Sequence, residues 1–158
     1  MRHEGFYCRL ILIFALFGGA SFTFGQHGTQ GGEWHSYGGD RGGTRYSALN
    51  QITADNVDQL EVVWTWKSDN YGGTEFRNSS TPLMVDGVLY FTAGNRRSVV
   101  AANAGTGETL WMWRMDEGER WQRAPRRNSG RGVSYWVDGD DARIFVITPG
   151  FHLAALDA

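Results

Sequence analysis

This sequence of 158 residues contains one cysteine and three prolines, and its positive and negative charges nearly balance. Its one cysteine, Cys8, stands near the N-terminus, so the rest of the chain has no thiol for a disulfide or a thiolate metal site. Fifteen Lys and Arg residues against 17 Asp and Glu give a net charge of -2, which offers no electrostatic basis for binding nucleic acid. Glycine and tryptophan are frequent, with 22 and 7 residues, and indicate short aromatic strands joined by tight turns.

The first 25 residues have a composition of their own. Arg2 and Arg9 precede the apolar run LILIFALF at 10–17, and small residues follow it. These features are typical of a secretory signal peptide, and the run is shorter than the roughly 20 residues of a membrane-spanning helix. The sequence therefore predicts a signal peptide over 1–25 and export to the periplasm, with an uncleaved anchor as the alternative. Because Cys8 is the only cysteine and lies before the run, the run is not followed by a cysteine for lipid attachment.

Strand-like runs begin at residue 60, after a glycine-rich linker and an irregular aromatic segment over 26–59. An Asp86-Gly87 pair between alternating apolar residues predicts a β-hairpin over 82–92. Further runs with strand character lie at 60–67, 98–103, 108–114, 132–137, 142–148 and 151–158. The arginine-rich stretch ERWQRAPRRNSGR at 119–131 is interpreted as a solvated loop rather than a nucleic-acid site.

Two short motifs recur at a spacing of about 50 residues, the length of one propeller blade. WTWK at 64–67 returns 47 positions later as WMWR, and AANA at 101–104 returns 54 positions later as ALDA. Trp111, which ends the stretch AANAGTGETLW at 101–111, is expected to pack against a neighbouring blade rather than to bind a ligand. The predicted fold is all-β: an incomplete β-propeller of about two blades over 60–158, the N-terminal part of a longer protein.

Arg131 stands between two glycines in SGRGVSYW, directly before a predicted strand. Glycine permits unusual backbone conformations and a close approach by another group. An arginine held in such a place can present its planar fork to a carboxylate. A surface turn that carries a charge explains the same pattern. The residues alone leave both interpretations open.

The sequence resembles the start of the pyrroloquinoline quinone (PQQ)-dependent dehydrogenases in EWHSYGGDRGGTRYSALNQITADNVDQLEVVWTW, TPLMVDGVLYFTAGNRR, AANAGTGETLWMWR and RGVSYW. The resemblance runs from about Glu33 to Ala158. It implies an eight-bladed propeller with PQQ near its axis and a calcium ion beside the quinone as Lewis acid. It further implies a sugar or alcohol substrate that gives a hydride to the quinone while an aspartate acts as base. Electrons would pass to ubiquinone or a periplasmic cytochrome, with a peripheral association with the membrane.

Three positions match cofactor contacts of that family. Arg131 matches an arginine that pairs with a carboxylate of PQQ, with Gly130 and Gly132 leaving room for the cofactor. Thr148 matches a threonine that hydrogen-bonds PQQ. Ser79 stands where family members commonly carry a glutamate that contacts PQQ, so it supplies a donor but no charge. The adjacent cysteines of methanol-oxidising relatives are absent, and the family's calcium ligands and base fall after residue 158, so no catalytic or metal-binding residue is assigned in this chain.

The sequence leaves two functions from different classes. The first is the N-terminal part of a periplasmic PQQ-dependent dehydrogenase, inactive by itself. The second is a non-catalytic propeller that serves as a scaffold or interaction protein, which the replacement of the family's glutamate by Ser79 favours. Carboxylates for calcium and for the base in a continuation of the chain after Ala158 would distinguish the enzyme from the scaffold.

Overall fold

The computed structural model describes residues 28–68, 75 and 77–158, and the predicted signal peptide lies outside these residues. Two antiparallel sheets, each with its strands in sequence order, make up most of the regular structure. The first contains β1 (Leu83–Val85), β2 (Val88–Ala93), β3 (Ser98–Asn103) and β4 (Thr109–Trp113). The second contains β5 (Ser134–Asp138), β6 (Asp141–Ile147) and β7 (Leu153–Asp157). A short helix, α1 (Glu119–Arg123), lies between the two sheets along the chain.

The hairpin of β1 and β2 is confirmed. Val85 pairs with Val88 across the Asp86-Gly87 turn. Both turn residues have positive φ, +48° and +80°, which the primed two-residue turn requires and which Asp and Gly tolerate. Because this turn matches the right-handed twist of the strands, two residues set the register of the first sheet.

One apolar core joins the two sheets. Its buried members are Leu83, Val85, Tyr90, Val99, Ala101, Val133, Ile144 and Val146. Trp111 packs against this core with its ring centre 6.0 Å from that of Tyr90, in agreement with a packing role. Ala101 and Ala102 on β3 are fully buried, so small side chains allow the neighbouring groups to approach the sheet closely. Burial of this apolar surface is the main force that holds the two sheets together.

Segment 60–67 differs from its prediction as a strand. It has no regular secondary structure, and within the described part of the chain it joins neither sheet. The indole N–H of Trp64 donates to the carbonyl oxygen of Ala104 at 3.1 Å, and that of Trp66 donates to Oγ1 of Thr109 at 2.9 Å. Trp64 and Trp66 therefore dock on the first sheet through their indole groups. A strand also needs a neighbour for its backbone groups, and the described residues place none beside it.

Residues 28–59 have little regular structure, and Trp34 joins this segment to the first sheet. Trp34 exchanges backbone hydrogen bonds of 2.9 and 3.1 Å with Met84 of β1. Short 3-10 turns lie at Gln30–Gly32 and Val57–Gln59. Within residues 28–68, 75 and 77–158, no helix has the length and hydrophobicity that crossing a bilayer requires.

Candidate anion-binding site

Arginine side chains gather around an open pocket of about 800 Å³. We call it the arginine pocket, and its lining residues are Tyr37, Arg77, Ser79, Arg97, Pro125, Arg126, Arg127, Asn128, Gly130 and Arg131. Half of these residues are arginines and none of them is acidic. Guanidinium groups carry a permanent charge and bind carboxylates through two parallel hydrogen bonds, so the pocket suits a ligand with several carboxylates or phosphates. Its volume is in the range of small-molecule sites.

The loop at 125–131, which we call the arginine loop, supplies most of the pocket lining. The sequence predicts a solvated loop over 119–131, but Glu119–Arg123 form α1, and Arg126, Arg127 and Arg131 line one pocket. Trp121 of α1 holds one of them: the guanidinium carbon of Arg127 lies 5.0 Å from the ring centre, and that of Arg96 lies 4.7 Å from it. Such cation–π contacts orient the cations without using their N–H donors.

Arg131 is exposed and lines the arginine pocket. Its guanidinium carbon lies 5.7 Å from the centre of the Tyr37 ring, within the range of a cation–π contact. The aromatic face fixes the position of the guanidinium and leaves its planar fork available to an anion.

Gly130 and Gly132 are required by contacts within the chain. Gly130 has a φ of +72°, and a Cβ atom there would lie 2.8 Å from Nε of Arg97. Gly132 has a φ of +110°, and a Cβ atom there would lie 2.8 Å from the carbonyl oxygen of Thr81. The close approach that these glycines permit is therefore made by Arg97 and Thr81, whereas the sequence analysis expected a cofactor in that place.

Ser79 lines the arginine pocket, whereas the carboxylate of Glu75 is used in hydrogen bonds within the protein. The Glu75 carboxylate accepts hydrogen bonds from the backbone N–H groups of Ser129, at 2.6 Å, and Gly94, at 3.0 Å. The N–H of Ser79 donates in turn to the Ser129 hydroxyl at 3.3 Å. Glu75 therefore braces the turn that leads to Arg131, and it does not take the place of a glutamate at position 79.

Thr148 belongs to a second group of residues, which we call the Glu117 cluster: Glu117, Thr148, Gly150 and His152. The Glu117 side chain is 1% exposed, and its carboxylate accepts a hydrogen bond from the Thr148 hydroxyl. It also accepts from the Gly150 N–H at 3.0 Å and from Nδ1 of His152 at 2.9 Å. The N–H of His152 donates to the Thr148 hydroxyl at 3.0 Å. The hydrogen of this 3% exposed threonine is therefore already used inside the protein.

The Glu117 carboxylate is held as an anion. Burial by itself would raise the pKa of Glu117, but the hydrogen bonds of the cluster, first that from Thr148, hold the pKa below its ordinary value of 4.5.

Nε2 of His152 lies 2.7 Å from Nη1 of Arg120, and a guanidinium nitrogen can only donate, so the ring proton is on Nδ1. Sequence analysis missed this cluster because Glu117 and Thr148 are 31 residues apart and share no motif.

Comparison with known proteins identifies the family. The family described as "PQQ: Glucose/ethanol/alcohol dehydrogenase, beta-propeller domain" matches residues 34–158. The chain belongs to this PQQ dehydrogenase family. The resemblance stated from the sequence and the prediction of an all-β, incomplete propeller are both confirmed.

Individual members of the PQQ dehydrogenase family are similar along most of the chain. The dehydrogenase subunit of "Alcohol dehydrogenase (quinone)" from Gluconobacter oxydans (strain 621H) is 34% identical over 141 residues, 89% of this chain and 17% of the relative. The "1-butanol dehydrogenase (cytochrome c)" of Thauera butanivorans is 38% identical over 130 residues, 81% of this chain and 17% of the relative. The crystal structure of quinohemoprotein alcohol dehydrogenase from Comamonas testosteroni is similar with a TM-score of 0.60 at 29% identity, covering 80% of this chain and 18% of that chain. The chain spans less than a fifth of the length of these proteins.

The arginine pocket fits the cofactor that gives the PQQ dehydrogenase family its name. PQQ carries three carboxylates, and a lining that is rich in guanidinium groups and contains no acidic residue matches such a ligand. Of the three predicted contacts, Arg131 and Ser79 lie together in the lining, whereas Thr148 lies in the Glu117 cluster. Among the described residues, no group of three or more His, Cys, Asp and Glu side chains is placed to hold a metal ion, so no calcium ligand is assigned to them.

Proposed function

We propose that this chain is the N-terminal part of a PQQ-dependent dehydrogenase that oxidises an alcohol or a sugar, with the arginine pocket as the site for the carboxylates of PQQ. The observation that carries the proposal is the pocket itself, whose lining is half arginine and contains no acid. The names of the relatives, alcohol dehydrogenase (quinone) and 1-butanol dehydrogenase (cytochrome c), support an alcohol as the substrate.

The pocket residues bind and orient the cofactor in this proposal. Arg131 offers its fork to one carboxylate while Tyr37 holds the guanidinium in place. Ser79 donates a hydrogen bond through its hydroxyl. When bound, PQQ supplies the redox chemistry, as the acceptor of a hydride. The Thr148 hydroxyl has given its hydrogen to Glu117 and one lone pair to a backbone N–H, so it would contact PQQ as an acceptor, through its remaining lone pair.

The cellular setting is part of the same proposal. Residues 1–25 serve as a signal peptide that directs the protein to the periplasm. The electron acceptor is ubiquinone or a cytochrome, and the names of the two relatives, which include a quinone and cytochrome c, support this choice. Transfer to ubiquinone requires a peripheral association with the membrane. Calcium is proposed with ligands that follow residue 158.

The proposal is tested by titrating the complete protein, freed of cofactor, with PQQ and following the tryptophan fluorescence. Arg131→Gln removes the fork, and since a hydrogen bond to a charged group contributes about 1.5–3 kcal/mol, the affinity should fall about tenfold to 100-fold. Arg123→Gln is the matched control, because this side chain is 83% exposed on α1 and does not line the pocket. Dye reduction with ethanol and with glucose then identifies the class of substrate.

Saturable binding of PQQ that Arg131→Gln weakens and Arg123→Gln does not would support the assignment. Equal affinities of wild type and Arg131→Gln would refute the role of Arg131. Absence of PQQ binding by the wild type would refute the enzyme. That result would favour the second candidate, a non-catalytic propeller scaffold. The serine at position 79, in place of the family's glutamate, supports this candidate.

A further inference from the structure

Arg97 lines the arginine pocket, but its guanidinium is directed at backbone oxygens. Nε donates to the carbonyl oxygen of Asn128 at 3.0 Å, and Nη2 donates to that of Arg126 at 3.2 Å, both in the arginine loop. Nη1 donates to the carbonyl oxygen of Ile147, the last residue of β6, at 2.9 Å. One side chain therefore ties the arginine loop to the second sheet.

The chain is shaped around this side chain. Arg97 itself has a φ of +52°, a left-handed conformation that is unfavourable for a residue with a Cβ atom. Gly130 lies so close to the guanidinium that a Cβ atom there would be 2.8 Å from Nε and 3.0 Å from Cζ of Arg97. A strained backbone at one end of the contact and an obligatory glycine at the other indicate that the fold specifies where this guanidinium lies.

Arg97 keeps its charge in this partly buried position. Burial lowers the pKa of Arg97, and the nearby carboxylates of Glu117 and Glu75 offset only part of this decrease. A guanidinium in a protein stays protonated in any case. Three of its five N–H groups donate to carbonyl oxygens, so the guanidinium of Arg97 is held by the backbone, whereas that of Arg131 stands against the Tyr37 ring.

The exposed arginines of the pocket need such an anchor. Arg126 and Arg127 are adjacent in the sequence and exposed, and Arg131 follows four residues later on the same loop. Like charges closer than a Debye length, about 8 Å at physiological salt, repel each other, and a loop without regular structure can spread to separate them. A ligand with several carboxylates would then have to gather the loop at a loss of affinity, which prior anchoring avoids.

We propose that Arg97 is a positioning residue, which holds the backbone of the arginine loop so that the arginines of the loop converge on a ligand with several carboxylates. Arg97 is not itself a ligand in this arrangement. The identity of the ligand as PQQ rests on the proposed function, whereas the positioning of the loop does not depend on it.

The first test measures the loop without a ligand, in the complete protein freed of cofactor. Arg97→Met keeps a long side chain but donates nothing, and Arg97→Lys keeps the charge but loses the planar fork. Both should raise the amide hydrogen-exchange rate of Ser129, whose N–H donates to Glu75 at 2.6 Å, about tenfold, while β2 and β3 exchange as in the wild type. The control Arg123→Met should change neither. Unchanged exchange in the arginine loop, or an Arg97→Lys variant that behaves like the wild type, would overturn the proposal.

The second test separates the planar fork of Arg97 from its charge. The same variants are titrated with PQQ and with citrate, a tricarboxylate probe. Arg97→Met and Arg97→Lys should both weaken binding about tenfold, because both lose the fork that holds the loop, although lysine keeps the positive charge in the pocket lining. An Arg97→Lys variant that binds these ligands like the wild type would show that the charge alone matters and would overturn the proposal, as would an unchanged affinity of Arg97→Met.

Failure of this proposal and failure of the proposed function have different results. A wild-type protein that binds citrate but not PQQ would contradict the proposed function, and the citrate series together with the exchange rates would still decide the role of Arg97. A wild-type protein that binds neither ligand would overturn both.

Discussion

Replacing Glu117 by glutamine tests whether one buried carboxylate holds the turn between β6 and β7. The Gly150 N–H in this turn lies 3.0 Å from both carboxylate oxygens, and the Thr148 hydroxyl donates to the same carboxylate. The turn also has a backbone closure of its own, because the N–H of Thr148 donates to the carbonyl oxygen of His152 at 2.9 Å. Glu117→Gln therefore weakens an external anchor and leaves the turn intact.

The magnitude follows from counting donors. The Thr148 hydroxyl, the Gly150 N–H and Nδ1 of His152 all point at the carboxylate, whereas glutamine has one acceptor oxygen and turns its amide N–H₂ towards a donor. Since a hydrogen bond to a charged group contributes about 1.5–3 kcal/mol, we expect a local loss of about 2 kcal/mol. At about 1.4 kcal/mol per factor of ten, this corresponds to an opening of the turn that is about 30-fold more frequent.

Amide hydrogen exchange at Gly150 measures this opening in the complete protein. The Gly150 amide should exchange about 30-fold faster in Glu117→Gln than in the wild type. Glu119→Gln is the control, because that side chain is 80% exposed and pairs with Arg123 at the surface. If Gly150 exchanges no faster in Glu117→Gln than in the control, the carboxylate is not the anchor of the turn.

The same carboxylate predicts a pH dependence. Folding holds the pKa of Glu117 below its ordinary value of 4.5, so the unfolded chain binds the proton more readily than the folded one. The stabilisation is then complete above pH 4.5 and is lost as the pH falls through the folded-state pKa. Wild type and Glu117→Gln should differ most in Gly150 opening near neutral pH and converge in acid. A difference in Gly150 opening that stays constant from about pH 7 to about pH 3 would contradict this account.

Two further pairs of substitutions test the packing, by hydrogen exchange in the adjoining strands. Gly132→Ala should lose about 2 kcal/mol, because φ is +110° and the new Cβ would lie 2.8 Å from the carbonyl oxygen of Thr81, whereas Gly139→Ala, at φ +58° with open space around it, should lose about 1 kcal/mol. Leu83→Ala should lose about 2–5 kcal/mol because the side chain is fully buried, and Leu110→Ala, 50% exposed, less than about 1 kcal/mol. Equal losses within either pair would contradict the burial and contacts described above.

The seven strands of the two sheets, the hairpin turn and the family of this protein can be predicted from the amino-acid sequence alone. The Asp86-Gly87 turn and the alternation of the strands around it are specified by residues only a few positions apart, so they can be read without knowing the fold. The tryptophan motifs repeat along the chain because each blade needs the same packing residue, so the repeat can also be recognised without knowing the fold. Alternation also predicted a strand over 60–67, but the backbone of this segment lies outside both sheets, because the described residues offer it no neighbouring strand.

The roles of the arginines and acids, in contrast, depend on contacts between residues far apart in the sequence. Sequence analysis singled out Arg131 and Ser79, which both line the arginine pocket, but it gave no role to Arg97 or Glu117. The partners of Arg97 are carbonyl oxygens 29, 31 and 50 residues away. Every residue carries the same carbonyl group, so nothing in the sequence marks these three as acceptors. They become a binding site for a guanidinium when the packing of two sheets brings them together.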